Sequence, residues 1–160
     1  MEESTGQLDE DPARSASAAR SWAFAVNSTV DSSNIEITLF SFVVVGDLAR
    51  VTGLVRVRNR PDVRLASVPD LAMTTADGTP LAFISGHVLP HGNMAWVSWL
   101  YHRPAQVLTT YEGHIDRVDL DHHTGGRAPR PRQPQHGAWV FHFTLPSKPG
   151  TATMAAALAV

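Results

Sequence analysis

The chain has 160 residues, 43% of them hydrophobic, which is enough for one domain with a substantial core and too few for two. A formal charge of -2 gives no global attraction to phosphate or to an acidic membrane surface, so nucleic acid is not an expected partner. The lack of any cysteine excludes a disulfide framework, thiol catalysis and every cysteine-ligated zinc or iron–sulfur site.

Residues 1–20 carry Glu, Asp, Ser and Ala with little to bury and are expected to form a disordered N-terminal tail. Their acidic start has no apolar core of the kind a secretory signal needs, and no run in the chain approaches the ~18 apolar residues of a spanning helix. The expectation is a soluble cytoplasmic protein, although a chain trimmed of an upstream signal would read the same. Lys148 is the single lysine, and the preference for arginine with abundant alanine points to a GC-rich, bacterial genome.

The folded part is expected to span 21–147. Trp22, Phe24 and Val26 alternate with Ala23 and Ala25, a first strand followed by a loop, with turn chemistry at Asn27-Ser28-Thr29 and at Asp31 to Asn34. Ile35, Ile37 and Leu39 alternate with Glu36 and Thr38, but the apolar run then continues through Phe40, Phe42 and Val45, which predicts a bend or bulge near Phe40 to Phe42. After Gly46-Asp47, Ala49, Val51, Val55 and Val57 share one parity while Arg50, Thr52, Leu54, Arg56 and Arg58 share the other, giving a hairpin with one buried and one polar face. The arginine row reads as a solvated face paired with carboxylates across the sheet.

Asp77-Gly78 predicts a two-residue hairpin turn between strands in Ser67 to Ala76 and Thr79 to Ser85. A further turn at Pro90 to Gly92 leads into Met94 to Tyr101, which is apolar on both parities and so predicts a strand covered on both faces or one whose outer face meets a partner. Val107 to Leu120 shifts its apolar phase from Tyr111 and Ile115 to Val118 and Leu120, which places a bulge near Gly113. Asp121 to His136 reads as a flexible Pro/Arg-rich loop. The last strand is written clearly, with Trp139, Phe141, Phe143 and Leu145 on one parity between Gly137 and Pro146. Residues 148–160 form a C-terminal tail.

About eight short strands with regularly spaced turns, and no helical period, predict an all-β fold: an antiparallel β-sandwich of immunoglobulin-like type. The Cys, Trp, Cys framework of true immunoglobulin domains is missing, so the strand pattern carries no functional residues with it.

Chemistry is concentrated in three places. His114, Asp116, Asp119, Asp121, His122 and His123 are metal-ligating residue types near a strand end, although their spacing matches no established ligand motif. Arg127, Arg130 and Arg132 lie among prolines and make a local basic arm suited to protein contact. Trp96, Trp99 and Tyr101 supply aromatic anchors for a partner, with one parity committed to the core. No nucleophile elbow, phosphate loop or dinucleotide fingerprint occurs, and no cofactor is expected. The expected function is therefore a non-catalytic interaction module that binds another protein or a second copy of itself. The alternative is a metal-dependent enzyme or small-ligand-binding protein built on the cluster 114–123.

Overall fold

Nine antiparallel strands account for most of residues 21–122 and 133–145, the part of the chain that the computed structural model describes. One sheet has five strands in the order β1 (Trp22–Ser32), β2 (Ile35–Val45), β3 (Leu48–Val57), β7 (Met94–His102) and β6 (Phe83–His91). The other is built on β8 (Thr110–His122), with β9 (Gln133–Thr144) along one edge. Two shorter strands, β4 (Val63–Leu65) and β5 (Ala72–Thr75), take successive stretches of the opposite edge. The expected tails at 1–20 and 148–160 lie outside the described residues.

The periodicity decides which faces meet. Ile37, Leu39, Val51, Val55, Val97 and Trp99 from one sheet, and Tyr111, Ile115, Trp139 and Phe141 from the other, are buried in a single core. Leu39 and Phe42 both point inward although they lie an odd three positions apart, because the register of β2 on β3 shifts between Leu39 and Ser41. The bulge expected near Phe40 is therefore present, and β1 shifts beside it: the turn expected at Asn27 to Thr29 is instead a bulge, with Asn27 in the left-handed conformation at φ 49°, and β1 runs on to Ser32. In β8 the shift falls between Ile115 and Arg117 rather than at Gly113. Gly113 instead lets Leu71 and Met73 approach, since a Cβ there would come within 3.1 and 3.0 Å of their side-chain ends.

Side chains stitch the layers at both sides. The Trp139 indole crosses the core and donates to the Ile35 carbonyl at 2.9 Å. Close by, Ser33 donates to the His136 carbonyl at 2.9 Å and Ser32 accepts from the Ala138 amide at 3.2 Å, closing the side where β1 faces β9. Gly137 makes that approach feasible, because a Cβ there would sit 2.6 Å from the Trp139 ring and 2.9 Å from the Ser32 hydroxyl. On the other side, the connection between β4 and β5 seals the core. Its Pro69 carbonyl accepts from the Trp99 indole at 2.7 Å, and its Leu71 carbonyl accepts from the Tyr101 hydroxyl.

Three expectations are corrected. The Asp77-Gly78 turn forms, but only Gly78 takes a positive φ, at 84°. Its second arm makes one bridge, Thr74 to Pro80, and a last bond from the Leu81 amide to the Met73 carbonyl at 2.8 Å, before the chain leaves for the five-stranded sheet as β6. The segment 121–136 is not wholly loop: Asp121 and His122 end β8, and Gln133 to His136 begin β9 by pairing with Leu120 to Arg117. Nine strands replace about eight because the three-residue β4 is too short to show a period.

Candidate interaction face

The inward row of β7 consumes Ala95, Val97, Trp99 and Tyr101. Trp96 therefore points to the opposite face, as does every even-numbered neighbour on that strand. Cross-strand registers set it in a row: Leu54 of β3 lies opposite Trp96 on one side and Leu89 of β6 on the other. Phe40, placed at the β2 bulge, reaches the same spot with its ring centroid 5.6 Å from that of Trp96. Trp96 is 52% exposed and Leu89 60% exposed, so among the described residues nothing lies over this row. Contiguous exposed apolar side chains on a folded domain mark contact sites more often than scattered ones do.

The flank of that face is polar and internally satisfied. Arg58 reaches Asp31 at 2.9 Å and Glu36 at 3.3 Å, while Arg56 lies 3.7 Å from Glu36. The charges of Arg56 and Arg58 are thus answered across β1, β2 and β3. What remains toward β7 and β6 is apolar or neutral: Leu54, Trp96, Leu89, and beyond them Ser98 and His87 in the next row.

Of the three aromatics proposed from sequence for partner contact, only Trp96 is available. Trp99 and Tyr101 have relative exposures of 0% and 1% and their polar tips are bonded inside the core, so they are removed from the contact surface. Arg127, Arg130 and Arg132 lie outside the described residues. Leu54, Leu89 and Phe40 were missed by the sequence reading. The signal for Leu54 was its position as an apolar residue between Thr52 and Arg56 on the arginine face, and for Phe40 its position at the phase slip.

The His/Asp cluster does not converge. His114, Asp116, Asp119 and Asp121 share the outward face of β8, since the register shift after Ile115 moves the inward row to Val118 and Leu120, but they are strung along the strand and several have separate partners: His114 faces Glu112 at 3.3 Å, Asp119 binds Arg117 at 2.8 Å, Asp121 accepts from Arg64 at 3.1 Å, and His122 meets Asp62 at 3.2 Å. Asp116 is exposed at the register shift, and His123 lies outside the described residues. Among the described residues no group of three His, Asp or Glu side chains is placed to hold a metal ion. His114, Asp116 and Asp119 do border a shallow recess of about 380 Å³ together with Ser67 and Asp70. Arg117 already occupies the Asp119 carboxylate there, and this bond holds the guanidinium above its ordinary value.

Comparison with protein-family models, with curated proteins and with solved structures finds no match to this chain. The class of the molecule rests on its own geometry: an all-β protein of two antiparallel sheets, five-stranded and four-stranded.

Proposed function

We propose that this protein is a non-catalytic interaction module that binds another protein through the outer face of its five-stranded sheet. The observation that carries the reading is the row Leu54, Trp96 and Leu89, in which Trp96 and Leu89 are exposed and Leu54 half-buried, with Phe40 against it. Tryptophan at the centre of an apolar patch with a polar rim has the composition of a binding hot spot. The immunoglobulin-like character expected from the strand pattern belongs to the same reading, in which facing sheets supply a rigid scaffold and leave one sheet face free for a partner. The scattering of the His/Asp cluster into separate ion pairs favours this reading over a metal-dependent enzyme.

Site-directed photocrosslinking tests the assignment. A photoreactive phenylalanine analogue at position 96 or 89 of the full chain should give adducts of discrete mass in the source cell, whereas the same group at position 117, on the other sheet, should give none. Equal labelling at all three positions, or none at 96 and 89, would count against the face.

A further inference from the structure

The strand beside the apolar row is a sheet edge. Strand β6 pairs with β7 alone, and among the described residues no strand pairs with its other side. The direction of its backbone groups follows from two hydrogen bonds. The Val57 amide donates to the Asn93 carbonyl at 2.9 Å, so odd-numbered residues of β7 face β3. The His102 amide donates to the Ala82 carbonyl at 2.8 Å, so even-numbered ones face β6. Their register partners Ser85, His87, Leu89 and His91 therefore bond to β7. Gly86, Val88 and Pro90 direct their backbone groups to the free edge. Pro90 fits there because its missing N–H removes no bond to β7.

The two edges of this sheet are treated differently. Strand β1 carries Asp31, a register shift with Asn27 in the left-handed conformation, and hydrogen bonds to β9 near its end, all devices that discourage pairing. Phe83–His91 contains no Asp, Glu, Lys or Arg, and its irregularity, at Ile84, is confined to its start. A strand that pairs with itself must not bring like charges together, and β6 meets that condition.

We propose that two copies of this chain pair β6 edge to edge, antiparallel about a two-fold axis near His87 and Val88, so that two five-stranded sheets become one of ten strands. This rests on the interaction-module reading and names its partner as a second copy. About four backbone hydrogen bonds form, with Gly86 and Val88 contributing from each chain. The axis is perpendicular to the sheet, so both Trp96 rows fall on the same face and Leu89 of each copy extends its row to the junction.

The test uses the full chain in sedimentation velocity over a range of concentrations, with Val88→Pro, Val88→Ala and Trp96→Ser alongside and with melting checked for each. The native chain and Val88→Ala, which keeps the amide, should dimerise. Val88→Pro, which removes one edge donor per copy and no bond to β7, should weaken the dimer roughly ten-fold or more. Hydrogen exchange should slow at the Gly86 and Val88 amides as dimer forms, a readout that stands even if Val88→Pro folds poorly. A native chain that is monomeric at every concentration overturns the self-pairing and leaves the crosslinking test of the wider reading intact. A dimer that survives Val88→Pro but is lost in Trp96→Ser overturns edge pairing in favour of face-to-face contact through the same patch. A dimer indifferent to both substitutions overturns both.

Discussion

Burial acts on single residues most visibly at the two tyrosines. Tyr101 donates to the Leu71 carbonyl and Tyr111 to the Val107 carbonyl at 2.7 Å. Burial raises both phenols well above their ordinary value, with the charge of Asp70 adding to the effect at Tyr101. A phenol whose folded-state value is raised favours the fold fully below about pH 10, the unfolded value, and this contribution shrinks as pH climbs toward the folded values. Since the chain has no other tyrosine, tyrosinate absorbance should stay absent until the chain unfolds and then appear in one step with the loss of circular dichroism. Ionisation of either tyrosine near pH 10 in a chain that is still folded would contradict this. Tyr101→Phe should cost about 1–3 kcal/mol in denaturant unfolding, because the buried Leu71 carbonyl loses its donor. At the acidic end Asp77 has the opposite sign. Hydrogen bonds from Thr75 and Thr79 hold its carboxyl below the ordinary value, so the turn is favoured at neutral pH and loses that support as pH falls below about 4.

Among the elements, the paired bulges control how β1, β2 and β3 fit. A Cβ on Gly53 would lie 2.6 Å from the Thr38 carbonyl oxygen, a backbone atom with no freedom to move aside. Gly53→Ala should therefore cost about 1–3 kcal/mol. Gly113→Ala would meet the flexible ends of Met73 and Leu71 and should cost less. A denaturation midpoint for Gly113→Ala at or below that of Gly53→Ala would show that the β2–β3 contact is softer than this spacing implies. The bulge near Phe40 could be read in advance because Leu39 and Phe42 break a period of two. The three residues of β4 and the departure of the chain after Leu81 could not, since neither leaves a local pattern and both depend on which sheet is nearest.

For the whole molecule, the two faces of the five-stranded sheet make opposite demands on tryptophans three residues apart. Trp99→Ala should cost about 3–5 kcal/mol, because it empties the core and leaves the Pro69 carbonyl without its donor. Trp96→Ser should leave stability within about 0.5 kcal/mol of the native chain, so that any loss of association is attributable to the face itself. Equilibrium unfolding of the two variants gives the comparison directly.

The sequence by itself determined the all-β class, the single core and nearly every inward residue, because alternation between two environments is local and survives in the order of residues. Ala49, Val51, Val55 and Val57, and likewise Trp139 and Phe141, are buried as their parity requires. It also marked Met94 to Tyr101 as apolar on both sides. Only the tertiary structure decided which side is spent inside, because burial depends on which sheet closes over the strand. It likewise gave members of the His/Asp cluster separate partners, since Asp121, His122 and Asp119 are spread along β8 and meet Arg64, Asp62 and Arg117 before they meet one another. The apolar row on the outer face joins β2, β3, β7 and β6, strands whose adjacency arises only from the pairing of residues far apart in the chain.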